Sequence, residues 1–189
     1  MAPWGMQTKA IHTGENTARE DVAPPIHMAN TFRFESAEEA AAAFETEGQP
    51  IYTRWGNPTA QLMERKIAAL EGAEAAVATS SGMAAVSAAL FTVLKMGDHL
   101  IASTGLYSGT FHLVERDLPN LGVETTLAEA TDVAAFEAAL RPNTRAIYLE
   151  SPGNPGLLLN DIAAIAALAR DRGERFLADA KPAEAARVY

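Results

Sequence analysis

The stretch T-S-S-G-M-A-A-V-S-A-A-L-F-T-V-L-K-M-G-D-H-L-I-A-S, residues 79–103, decides the fold. Ser81 can cap a helix, Gly82 opens it, and the run that follows is apolar almost all round, which predicts a buried helix. K-M-G (95–97) ends it, and D-H-L-I-A-S (98–103) reads as a short apolar strand.

The alternation extends both ways. Upstream, N-P-T-A-Q-L-M-E-R-K-I-A-A-L-E-G (57–72) opens with an Asn57 cap and Pro58 at the first helical position, carries Leu62, Ile67 and Leu70 near helical spacing, and stops at Gly72. A-A-V-A-T-S (75–80) then reads as a strand. Downstream, 107–118 reads as helical, G-V-E-T-T-L-A (122–128) as a strand, and T-D-V-A-A-F-E-A-A-L (131–140) as a helix capped by Thr131. R-A-I-Y-L-E-S (145–151) is the next strand, 160–173 a capped helix, and R-F-L-A-D (175–179) the last strand. Short strands alternating with helices predict an α/β fold, a mostly parallel sheet with helices on both faces.

Residues 1–50 read differently, as an extended arm with a single helix at S-A-E-E-A-A-A-A-F, where Ser36 and Glu39 can form a capping box. The expected organisation is this arm, a partial large domain with the ligand-binding strand ends over 51–180, and a divergent tail over 181–189.

At 189 residues the chain can bury a real core. Its net charge of −9 and the lack of any basic stripe argue against nucleic acid or anionic membrane as partners. With no cysteine, disulfides, thiolate metal sites and thiol nucleophiles are excluded. The first residues lack the apolar centre of a signal peptide, and no uncharged apolar run reaches spanning length, so a soluble, cytoplasmic protein is expected. No G-x-G-x-x-G follows the first strand, against a dinucleotide-binding module.

In an open parallel sheet, ligands bind at the carboxyl ends of the strands. There, S-S-G-M (80–83) offers helix N–H groups at Gly82 and Met83 beside Ser81, a geometry suited to phosphate as well as to a plain tight turn. Tyr107 offers an aromatic face and a hydroxyl, and Asn154, between Pro152 and Pro155, a turn residue or a ligand-facing amide. Asp179 ends an apolar strand, where a carboxylate can cap a helix, bind metal or pair with a protonated pyridine nitrogen; no ligand cluster accompanies it, so no metal is expected. Before the first long helix, Tyr52 and Arg54 in I-Y-T-R-W-G-N-P-T form a hydroxyl and guanidinium pair suited to phosphate.

Together T-K-A-I-H-T-G, A-P-P-I-H-M-A-N-T-F, Y-T-R-W-G-N-P-T, A-T-S-S-G-M-A-A, L-Y-S-G-T, E-S-P-G-N-P and F-L-A-D resemble, in order, the Cys/Met-metabolism family of pyridoxal phosphate enzymes. The resemblance implies the large domain of the aspartate-aminotransferase type, pyridoxal 5'-phosphate as cofactor, a homo-oligomer, and γ-elimination or γ-replacement on methionine, cystathionine or O-acylhomoserine-type amino acids. It implies that Tyr52 and Arg54 bind the cofactor phosphate of an adjacent subunit, and that Ser81 with the Gly82 and Met83 amides binds it in their own. Tyr107 would stack on the ring and assist catalysis, Asn154 would contact the ring hydroxyl, and Asp179 would pair with the ring nitrogen. Serine and glycine follow Tyr107 where methionine γ-lyases tend to carry a cysteine, a small point against a dedicated methionine lyase.

The family's Schiff-base lysine comes well after the aspartate. The lysines here are Lys9, Lys66, Lys95 and Lys181. The first three have no reason to sit at strand ends, and Lys181, two residues past Asp179, would approach from the ring-nitrogen end. The sequence is therefore expected to lack that lysine; the alternative to an enzyme is a truncated, non-catalytic chain that binds the cofactor weakly or joins intact subunits.

Overall fold

A computed structural model describes residues 4–15, 23–46, 49–172 and 175–180, the last six as backbone. The chain forms two compact units divided between Ala78 and Thr79.

In the first unit, helix α3 (Pro58–Glu71) forms where its punctuation places it. Asn57 Oδ1 accepts from the Thr59 amide at 2.9 Å, and Gly72 closes the helix in the left-handed region at φ 65°. Helix α2 (Ala37–Glu45) is capped by Ser36, whose Oγ accepts from the Glu39 amide at 3.0 Å. The expectation of a single helix before residue 50 is corrected, because Met6–His12 forms another, α1. Its seven residues bury no side chain and have no side-chain cap, so periodicity had nothing to report. Tertiary contact holds it: Lys66 Nζ on α3 donates to the Ile11 carbonyl and, at 3.1 Å, to Glu15. Residues 27–32 run along 51–59, with Thr31 and Tyr52 in an antiparallel bridge and Asn57 Nδ2 donating to the His27 carbonyl at 3.0 Å.

Residues 75–80 are not a strand, contrary to the sequence reading. A strand needs a neighbour to take up its ladder, and among the described residues this segment has none; Val77 is 82% exposed.

The second unit carries a parallel sheet of β1 (His99–Ser103), β2 (Glu124–Ala128), β3 (Thr144–Ser151) and β4 (Arg175–Ala180), in the order β2-β1-β3-β4. Side chains alternate across it, as the period of two requires. Leu100, Ala102, Ala146 and Tyr148 meet Leu90 and Leu94 from the region of α4 (Gly82–Val93) and Leu113, Val114 and Leu118 from the segment after α5 (Ser108–His112). Leu113–Asp117 is π-helical and runs into α6 (Leu118–Asn120). On the opposite face Ile101, Ile147 and Leu149 pack on Phe136 of α7 (Val133–Ala139) and on Ile162, Ile165 and Ala169 of α8 (Ile162–Arg172). Helices thus cover both faces, and each fully buried Leu or Ile contributes about 1.5–3 kcal/mol.

Two expectations change here. Helix α4, apolar all round, buries only Leu90 within its span and leaves Phe91 half exposed, because one stripe suffices to cover the sheet. Helix α7 is capped by Asp132, whose Oδ1 accepts from the Ala134 amide at 2.9 Å, one residue later than the expected Thr131. Among the described residues no helix is long and apolar enough to cross a membrane.

Candidate functional site

All four strands run the same way, so their carboxyl ends share one edge of the sheet. The loops that leave this edge after β1 and β3 carry Tyr107 and Asn154; Ser81, Gly82 and Met83 lie at the start of α4, and Asp179 lies in β4 itself.

Ser81 caps α4 by accepting from the Ala84 amide at 3.1 Å. The amides of Gly82 and Met83, in the first turn, have no carbonyl four residues back within the helix to bond. A Cβ built on Gly82 would meet nothing within 4 Å, so the approach to these amides is open. An open first turn at the positive end of a helix dipole is suited to an anionic group.

Tyr107 follows β1 at the start of α5, with φ −55° and ψ 143°, and is 48% exposed. Its ring lies over Gly109: a Cβ on Gly109 would sit 2.7 Å from Tyr107 Cε1 and 3.0 Å from Met83 Sδ. Gly109 is therefore where the tyrosine ring and the first turn of α4 meet, and the absence of a side chain there permits it.

Asn154 is exposed in the loop after β3, bounded by cis peptides at Ser151-Pro152 and Asn154-Pro155. Its backbone N–H donates to the Gly105 carbonyl at 3.2 Å, which joins its loop to the one that leads to Tyr107. The two backbones touch so closely that a Cβ on Gly153 would lie 2.5 Å from the Gly105 oxygen. Asp179 occupies β4 in register with Glu150 of β3, at the same edge. Lys181 and the expected tail lie outside the described residues.

Tyr52 and Arg54 lie in the first unit and are brought together. The Arg54 guanidinium stands 4.9 Å from the Tyr52 ring centroid and 5.5 Å from that of Trp55, a cation–π arrangement that orders the cation without neutralising it. Of the lysines expected to lie away from the site, Lys66 is engaged with Ile11 and Glu15 as described.

Sequence reasoning missed Glu150. It is 7% exposed, and its carboxyl oxygens accept from the Tyr107 amide at 2.6 Å, from Thr110 Oγ1 at 2.8 Å and from Tyr148 Oη at 3.1 Å. The available signal was an acid two positions after Tyr148 on an inward-facing stripe of a strand otherwise apolar at its centre.

Comparison with known proteins places the chain in a family. The family model for Cys/Met metabolism PLP-dependent enzymes matches residues 7–182. An L-methionine gamma-lyase of Fusobacterium nucleatum subsp. polymorphum is 45% identical over 168 residues, covering 88% of this chain and 42% of that protein. An O-succinylhomoserine sulfhydrylase of Pseudomonas aeruginosa is 37% identical over 175 residues, covering 91% and 43%. A crystal structure from Campylobacter jejuni that carries an N'-pyridoxyl-lysine-5'-monophosphate superposes with a TM-score of 0.85 at 32% identity, over 94% of this chain and 44% of that one. The chain thus spans less than half the length of these relatives. With a parallel sheet covered on both faces, and the family match running through nearly all of its residues, the chain belongs to the Cys/Met metabolism family of pyridoxal phosphate-dependent enzymes.

Proposed function

We propose that this chain supplies the cofactor-binding half of an enzyme that carries out γ-elimination or γ-replacement on sulfur-containing or O-acylated amino acids, with methionine, cystathionine and O-acylhomoserines as the substrate class. The observation that carries the reading is the open first turn of α4 beside the Tyr107 ring at the carboxyl edge of the sheet.

The residues present fit pyridoxal 5'-phosphate. In this reading the Gly82 and Met83 amides and Ser81 hold the phosphate, while Tyr52 and Arg54 hold that of a neighbouring subunit. Tyr107 lies against the ring, Asn154 meets the ring hydroxyl, and Asp179 keeps the ring nitrogen protonated. When bound, the cofactor supplies an electron-accepting ring that stabilises charge on the substrate carbon. The chain's own contributions are to bind, to orient and, at the Tyr107 hydroxyl, to hold a proton near the leaving group. The serine and glycine after Tyr107 are a small point against a dedicated methionine lyase.

The test is saturable uptake of pyridoxal 5'-phosphate by the full chain, followed by absorbance and by thermal unfolding, since a ligand that binds only the folded state raises the melting temperature. Gly82→Val should leave the circular dichroism unchanged, because there is room for the side chain, yet weaken uptake about tenfold or more by covering the amides. Uptake unaffected by Gly82→Val would sink the assignment.

A further inference from the structure

We propose that Glu150 is the positioning residue for Tyr107, holding its loop, and through Thr110 the first turn of α4, in the geometry that receives the cofactor. This rests on the cofactor reading above.

Helix α5 has no side-chain cap of its own, and Tyr107 occupies its cap position. The group that serves the helix end comes from β3, far away in sequence. Glu150 Oε2 takes the Tyr107 N–H at 2.6 Å, and Oε1 takes the Thr110 hydroxyl, in the first turn of α5, at 2.8 Å. The carboxylate is itself aimed from within its strand, where Tyr148, two residues back on the same face, donates to Oε1 at 3.1 Å. Thr110, 1% exposed, lies 3.8 Å from Met83 Sδ, so the same contacts reach the residue whose amide belongs to the phosphate cradle. A sheet residue thereby links both flanks of the proposed site. Among the described residues no lysine or arginine forms an ion pair with Glu150; its partners are three directed donors.

Geometry, rather than charge, is then what the position supplies. Glutamine can keep its oxygen on the Tyr107 amide and turn its NH2 toward the two hydroxyls, which accept as readily as they donate. Methionine has the length but no acceptor, and aspartate is one carbon too short to reach.

Two measurements on the full chain decide this. The first is amide hydrogen exchange without cofactor. Glu150→Met should speed exchange at Tyr107 and Phe111 about tenfold while β1 and β3 keep their protection, and Glu150→Gln should restore it. The second is the affinity for pyridoxal 5'-phosphate, which should fall about tenfold in Glu150→Met, stay within roughly threefold in Glu150→Gln, and fall by less when Glu150→Met is added to Tyr107→Ala than when it is made alone. A Gln variant as damaged as the Met variant, an equal loss with and without the Tyr107 ring, or faster exchange across the whole sheet overturns the proposal. If the wild-type chain takes up no cofactor, the cofactor reading falls, and the exchange experiment still decides the role of Glu150.

Discussion

At His99 the sheet buries an imidazole completely. Nδ1 lies 2.8 Å from Thr144 Oγ1 and Nε2 lies 2.9 Å from Thr126 Oγ1, so hydroxyls on both neighbouring strands satisfy the neutral ring. Burial, reinforced by the Arg141 charge, pushes its pKa below the ordinary 6.5, while Glu124 opposes this more weakly. The unfolded chain therefore binds the proton first as pH falls. Stability should be full above pH 6.5, decline as pH drops through and below that value, and level off once the folded-state pKa is passed. Urea unfolding between pH 8 and pH 5 measures this, and His99→Asn should flatten the slope even if it lowers stability throughout. Neither His99 nor Glu150 was legible as a network residue in the sequence. Each sits in a run of strand-forming residues, and the partners that satisfy it lie mostly on other elements tens of residues away, Tyr148 beside Glu150 being the local exception. The loop positions of Tyr107 and Asn154 after β1 and β3 and the Ser81 cap of α4 were legible, because strand ends and helix starts are marked by local punctuation.

At the scale of elements, what could be read was what local chemistry determines. Helix α3 carries its start, its proline and its stop within its own sequence, and all three act as written. The segment 75–80 has strand composition, but pairing is not local, and composition alone does not make a strand. Helix α1 is the converse case, a short helix with weak signals that a lysine from α3 holds in place. The start of α7 tests the distinction directly. Thr131 and Asp132 are both good capping types, and only the backbone decides between them; here Asp132 is the extended residue and accepts from the Ala134 amide. Asp132→Ala should cost about 1 kcal/mol of unfolding free energy, and Thr131→Ala a few tenths. Denaturant unfolding of the two variants checks the order, and a larger loss from Thr131→Ala would contradict the cap.

For the molecule as a whole, the alternation of strand and helix was enough to give the parallel sheet with two covered faces. The face opposite α4 is anchored on Phe136, fully buried against Ile147 and its neighbours. Phe136→Ala should therefore destabilise the second unit by about 3–5 kcal/mol, seen as a lower urea midpoint with little change in slope. The combination of motifs, rather than any single one, made the family legible; Glu150, which joins two of them, became visible only once the strands were in register. The strand order has a further consequence for synthesis. The first strand to leave the ribosome, β1, is buried on both faces and flanked by β2 and β3, and its pairing with β3 must wait for residues up to Tyr148. At roughly 5–20 residues per second, the wait from Ser103 to Tyr148 is about 2–9 s. During that interval Leu100, Ile101 and Ala102 have one ladder partner at most, which makes this short strand the segment of the second unit most dependent on protection by a chaperone while the chain is being made.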